Sequence, residues 1–427
     1  MAKKSFSCLL VLLLLVFAVV AMMGCEEPVA DPEDPDEPVE PVGEVIKVGA
    51  PIPQTGPFAS DGEQMEMALE LAIAEINAEG GLLGRQLELY AGDVGALEAD
   101  RIRAVGERLA GEGIDVAITG YANFGVDSRT FGAYDMPYLH GNAATASTEV
   151  VAENLEEFGN VFQYTPSEVS YGYDAAEFLF DIPDEMGWEP PNNKVAAISV
   201  DYSYNIYASE VFLEQAEEKG YEVVMNDIVD FGVVEWGPFL SRIADAEPAF
   251  ITIWILAPDD CARFITQFNE RFGEEGYDGI IYFQYTPNIP EFLELAGENA
   301  EGVIWSTSIG VVRDEDAADY AQRWEEFFGE EPKAVYAYSV RDAFDIWVAA
   351  VEQAGCVDCY DEVVENIRNI SFEGMSGVFE FAPEDQQALY GDDLIPTLWF
   401  QVQDGSHMRA GPERFKEVEY VVPPWIR

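Results

Sequence analysis

Apolar positions along this chain alternate between two rhythms. Val45, Ile46 and Val48 open a short apolar strand. Then Met65, Leu69, Ala72, Ile73 and Ile76 recur at three- and four-residue spacing, the mark of one helix face. Between them lies the loop Gln54-Thr55-Gly56-Pro57. Pro51 and Pro53 are expected to end the strand, because proline has no donor for a sheet ladder. Asn77 to Gly84 stops the helix, and β character resumes from Gln86 to Tyr90. Strand, loop, helix and strand in this order make a βαβ unit, and its first loop falls at the carboxyl end of a parallel sheet, where open α/β sheets bind ligands.

The same alternation continues down the chain. Asp115 to Thr119 reads as a buried strand, followed by the loop Tyr121 to Gly125 and a helix to Tyr134. Met136 to Leu139 is a short strand that leads into Gly141 to Ala146, and Val161 to Tyr164 is another. A second block starts near Thr165, with strands at Val195–Val200, Tyr221–Val229, Ala249–Leu256 and Gly279–Gln284 separated by helical stretches. The segment Asp201 to Tyr204 reads as a loop. After Val303-Ile304-Trp305 come three helices, ending near Phe328, Ala354 and Ile370, and late strands at Val378–Phe381 and Thr397–Val402. Such a run predicts an α/β protein of doubly wound, mainly parallel sheets. A length of 427 residues is enough for two of them, as two hinge-connected lobes with a ligand cleft between.

The first residues follow another pattern. Lys3 and Lys4 precede an apolar stretch, Leu9 to Val20, too short for a convincing membrane span. It closes on Ala21-Met22-Met23-Gly24-Cys25, and small residues before a cysteine resemble the lipobox of bacterial lipoproteins. That resemblance implies a signal peptide over 1–24 and a lipidated Cys25. Glu26 to Glu44 is acidic and proline-rich without apolar period, so it reads as an extended tether.

Charge narrows the partners. A formal net charge of −59 leaves no cationic surface for nucleic acid. The excess is spread along the whole chain and reads as solubility at high ionic strength, so stability is expected to rise with added salt. No EF-hand calcium loop is present.

Of five cysteines, Cys356-Val-Asp-Cys359 forms a C-x-x-C that reads as redox-active, metal-binding or a local disulfide. Only His140 and His407 are available to complete a zinc site, so the disulfide is preferred and no metal is expected. Cys261 begins an apolar helix face and reads as a buried small hydrophobe. No G-x-S-x-G elbow, HExxH or Walker loop appears, which argues against an exported enzyme.

Several segments together resemble the type I periplasmic binding proteins, in the branch of the leucine/isoleucine/valine-binding proteins of ABC transporters. The strongest is Glu75-Ile-Asn-Ala-Glu-Gly-Gly-Leu-Leu-Gly-Arg85 after the first helix, preceded by Thr55-Gly56-Pro57. Met136-Pro137-Tyr138, Ala143-Ala144-Thr145-Ala146 and Gly374 to Phe381 add support. The resemblance implies lobe one at 45–163 and 302–392 and lobe two at 164–301 and 393–427, joined by three crossovers.

It also implies a site. Thr55 and Gly56 stand at one wall. Ala122, Asn123, Ala143 and Thr145 take the positions that hold an amino acid's charged ends. Tyr202 or Tyr204 closes over the ligand, and Gln284 and Tyr285 occupy the place of an acidic partner for the ammonium. Asp61 stands where the family often has an aromatic, and reads either as the cap of a helix starting at Gly62 or as a group facing a polar or cationic ligand. Tyr121 and Phe124 read equally as packing or as site wall. The implied function is a monomeric, lipid-anchored, extracytoplasmic solute-binding protein with no cofactor, which delivers an amino acid or amide-like solute to ABC permease subunits. A receptor that feeds a sensor is the alternative.

Overall fold

A computed structural model describes residues 43–427. The signal segment, Cys25 and nearly all of the tether lie outside the described residues. The chain begins with β1 (Ile46–Ile52), α1 (Ala59–Ala78), β2 (Leu87–Asp93), α2 (Ala99–Glu112), β3 (Val116–Thr119), α3 (Val126–Phe131), β4 (Tyr138–His140), α4 (Thr145–Glu153), α5 (Leu155–Phe158) and β5 (Val161–Gln163). These strands form one parallel sheet in the order β2-β1-β3-β4-β5. Contrary to the proline argument, β1 runs through Pro51 to Ile52. Its pairing with β3 ends at Gly49, so Pro51 pairs on one side only, opposite Gly92 of β2.

The signature after α1 has a structural cause. The Asn77 side chain donates to the Leu87 carbonyl (2.9 Å) and accepts from the Leu87 N–H (2.8 Å), so it pins the helix end to the start of β2. Glu75 accepts from Arg341 (2.5 Å) and from Arg323, which ties α1 to later helices. Gly81 has φ +86°, and a Cβ there would meet the Arg85 carbonyl oxygen at 2.1 Å.

The second lobe follows with α6 (Glu168–Phe178), α7 (Ile182–Met186), β6 (Lys194–Val200), α8 (Ser203–Glu218), β7 (Glu222–Val229), α9 (Gly237–Ala246), β8 (Phe250–Trp254), α10 (Pro258–Phe272), β9 (Ile280–Gln284), α11 (Pro290–Ala296) and β10 (Ile304–Thr307). Then α12 (Asp314–Phe328), α13 (Tyr336–Ala354) and α14 (Tyr360–Arg368) return to the first core, with the hairpin β11 (Phe372–Gly374) and β12 (Gly377–Phe379). Finally β13 (Leu398–Gln403) and β14 (Ser406–Gly411) add antiparallel strands to one edge of the second sheet, whose order is β14-β13-β10-β9-β8-β6-β7.

That sheet is covered on both faces, which explains its unbroken apolar strands. In β8, Ile251 and Ile253 point into one core, and Phe250 and Trp254 into the other. Facing the first of these cores, α10 offers Cys261, Phe264, Ile265, Phe268 and Phe272. Each such side chain contributes roughly 1.5–3 kcal/mol relative to exposure. Cys356 and Cys359 are disulfide-bonded in the turn after α13.

The chain passes between lobes after Gln163, after Thr307 and between Ile395 and Leu398. Two of these passages differ from the expected limits at 301 and 392. Ile304–Thr307 pairs with β9 and β13 as a strand of the second sheet, and Ile395 packs in the first lobe's core.

Candidate functional site

Between the lobes lies a narrow cavity of about 40 Å³, and half of its lining side chains are aromatic. A wider groove of about 980 Å³ runs along α10 but is open to solvent and borders one lobe only. The interlobe cavity is built from loops at the carboxyl ends of strands and from helix starts. Lobe one contributes Asp61 of α1, Tyr121 after β3, Ala143 after β4 and Tyr336 at the start of α13. Lobe two contributes Tyr204 at the start of α8 and Tyr285 after β9.

Asp61 is the charged group of this cavity. It is 1% exposed, and its Oδ2 accepts from the phenol of Tyr121 (2.9 Å) and from that of Tyr285 (2.9 Å). One tyrosine comes from each lobe, so this carboxylate spans the cleft. Its other oxygen, Oδ1, has no hydrogen-bond partner among the described residues. Burial raises the carboxyl's pKa to about 6, and the two phenol donors oppose that rise. The helix-cap reading of Asp61 does not hold. The helix starts at Ala59, its N-cap residue is Phe58, and no side chain caps it.

Aromatic rings surround the carboxylate. Tyr121 and Tyr336 lie 5.1 Å apart between ring centroids, and Phe58 meets Tyr121 edge-on at 5.9 Å. Further along, Phe124 stacks on Tyr204 at 5.3 Å. Three cavity residues hold positive φ without being glycine, Leu97 at 66°, Ala143 at 54° and Tyr285 at 59°. Such strain persists only where surroundings impose it, and it gathers at functional sites.

The other residues singled out from sequence divide into three groups. Ala143, Tyr204 and Tyr285 line the cavity with Asp61. Gln284 stands just behind, fully buried, with Nε2 donating to the Tyr204 hydroxyl (3.1 Å). Tyr204 lies on a helix rather than in the expected loop, because α8 begins at Ser203.

A second group has its polar atoms committed elsewhere. The Ala122 N–H donates to Asn142 Oδ1 (3.0 Å), and the Asn123 amide donates to the Leu97 carbonyl (2.7 Å). Thr145 donates both its N–H (2.6 Å) and its hydroxyl (3.0 Å) to Glu168 Oε2. Tyr202 packs against Phe124 and Phe231, outside the cavity lining.

The third group lies away from the cavity. Thr55 and Gly56 are exposed, and the Thr55 hydroxyl donates to Asp93 (2.7 Å). They shape the turn after β1 rather than a cavity wall.

Sequence reasoning missed Phe58, Tyr171, Tyr336 and the hydrophobic Leu256, Ile289 and Ile309. Leu256 alone carried a signal, since it follows a strand at its carboxyl end. Glu168 and Asn142 were missed as organisers. Asn142 joins the loops after β3 and β4, because its Nδ2 also donates to buried Asp127 (2.7 Å). His140 is buried nearby, and burial lowers its pKa to about 3, so it stays neutral.

The periplasmic binding protein family model matches residues 45–391. Leu/Ile/Val-binding protein homolog 7 of Brucella abortus is 26% identical over 237 residues, which are 53% of this chain and 55% of that protein. This chain therefore spans about half the length of the first curated relatives it matches. Homolog 2 of the same organism is 22% identical over 85% of this chain and 92% of its own length. A solved structure from Silicibacter pomeroyi, assigned to branched-chain amino acid ABC transporters, is 27% identical. It superposes with a TM-score of 0.81 over 90% of this chain and 100% of its own. With two lobes of mainly parallel sheet, a cavity between them and a family match across nearly the whole described body, this chain belongs to the type I periplasmic binding proteins, alongside relatives of their Leu/Ile/Val-binding branch.

Proposed function

We propose that this chain is an extracytoplasmic solute receptor of an ABC importer, held at the membrane by lipid on Cys25, which closes its lobes around one small solute with an ammonium head. The observation that carries this reading is the unpartnered Oδ1 of Asp61 inside a cavity built by both lobes. A buried ionised carboxylate needs a partner, and a cation entering the cavity supplies one. Closure then follows as a population shift, because the solute touches both lobes only when they are shut.

The family and fold are those of binding proteins rather than enzymes. Within the described residues no helix is long and apolar enough to cross a membrane. Delivery to permease subunits rests on the relatives' names, and anchoring rests on the lipobox resemblance.

A thermal-shift screen with amino acids, amides, urea, small aromatic acids and amines tests solute capture. A true ligand at a hundredfold excess over its dissociation constant stabilises by about 2.7 kcal/mol. X-ray scattering with that ligand is expected to show compaction. A hit with no change in dimensions would contradict lobe closure.

A further inference from the structure

Resting on the solute-receptor reading, we infer that the cavity selects an organic cation that carries no carboxylate, an amine or quaternary ammonium rather than an amino acid. Two independent features point there. The first is the aromatic box around Asp61. Phe58, Tyr121, Tyr285 and Tyr336 present ring faces and edges around a carboxylate whose Oδ1 is free. Aromatic faces attract a desolvated cation, and an ionised carboxylate at the same place completes its recognition. Glu291 adds a further negative charge beside Asp61.

The second feature is the absence of a cationic side chain to hold an anion. None of the described residues lining the cavity is Lys, Arg or His. Three backbone donors at the strand ends are already used. Ala122 N–H is bonded to Asn142, Ala143 N–H to Thr165 (3.1 Å) and Ala144 N–H to Gln163 (3.0 Å). Thr145 gives both its donors to Glu168 Oε2, which thereby places a carboxylate of the protein at the start of α4. A solute carboxylate entering here meets no cation to pair with, finds these donors taken and approaches Glu168 behind Thr145, so its charge is left without a counter-charge, which is costly in a buried site.

Calorimetry on the mature full-length chain with two matched pairs tests this. Isopentylamine is leucine without its carboxylate, and choline presents the trimethylammonium head of trimethylglycine without the acid. The amine or the choline is expected to bind at least about tenfold more tightly than its acid counterpart. Asp61→Asn, which keeps size and shape, is expected to abolish that binding. Glu168→Ala frees the Thr145 donors and is expected to tighten binding of the acid member and so narrow the gap within a pair, and that tightening is a gain that misfolding cannot mimic. Equal or tighter binding of leucine or trimethylglycine overturns the inference and leaves solute capture standing. Silence from all four probes also overturns it. If the wider screen then gives a hit, capture survives, and if that screen is silent too, both readings fall. An unchanged gap in Glu168→Ala overturns the role given to Glu168.

Discussion

At the scale of single residues, Asp61 has the most consequence. It faces Tyr121 from the loop after β3, Tyr285 from the second lobe, Tyr336 from α13, and the charge of Glu291 from α11. Its carboxyl is pushed up to about 6 because burial disfavours the charge. Only the ionised form attracts a cation. Affinity for an ammonium ligand is therefore expected to be flat above about pH 7 and to fall, by up to about tenfold per pH unit, once the carboxyl is protonated. Titration calorimetry from pH 8 to pH 5 reads this directly, and a flat profile would remove Asp61 from the site. Gly62, its neighbour in α1, is constrained by space. A Cβ there would lie 2.0 Å from the Pro53 carbonyl oxygen, which is backbone and cannot swing aside. Gly62→Ala is expected to cost about 1–3 kcal/mol in a urea melt, as other strained or overpacked positions do. The sequence showed Asp61 as a departure from the family pattern, yet not that two tyrosines far away in the chain would meet it. Burial and partner choice at this position come from tertiary contacts that local pattern does not encode.

At the scale of elements, much was legible. The βαβ period located α1, and the apolar run Phe250–Trp254 marked a strand covered on both faces. The errors fall at element ends. Thr55, Gly56 and Asn123 sit in strand-end loops, as Tyr121 does, and a loop's place in sequence does not say which side chain turns inward. Tyr202 and Tyr204 illustrate this. They are two residues apart, yet Tyr202 is the N-cap of α8 and Tyr204 faces the cavity one step inside the helix. The disulfide after α13 is likewise an element-scale feature. It closes a loop of only a few residues and so constrains the unfolded chain weakly. The double replacement Cys356→Ser with Cys359→Ser is expected to lower stability by about 2 kcal/mol at most, measured by urea unfolding in non-reducing buffer.

For the whole molecule, the buried carboxyl groups set the response to pH. Burial raises Asp61, Asp127 and Asp174 to about 6, and Glu168 and Asp342 to about 7. Between the ordinary carboxylate range and these values the folded chain holds more protons than the unfolded one. Folding stability therefore falls as pH rises through 6 to 7, and mild acidification restores it. His140 and His407, held neutral by burial at about 3 and about 4, pull the other way below the usual histidine range, but they are two against five. Lower net charge also eases self-repulsion in a chain of formal charge −59. The melting temperature at constant ionic strength is expected to be higher at pH 6 than at pH 8. The opposite order would mean that these carboxyl groups are not desolvated as the fold implies. The hydrogen bond from Tyr285 to Asp61 has a separate consequence, because donor and acceptor belong to different lobes. It favours the shut form independently of any contact a solute makes. If the importer reads the shut form, empty shut copies are background noise. The fraction shut before any solute arrives also scales the apparent affinity. Together with the hydrogen bonds from Ser60 to Glu291 and from the Val335 N–H to Asn288, this phenol trades detection limit against false signal, and their combined strength bears on the lowest solute concentration the cell can tell from none.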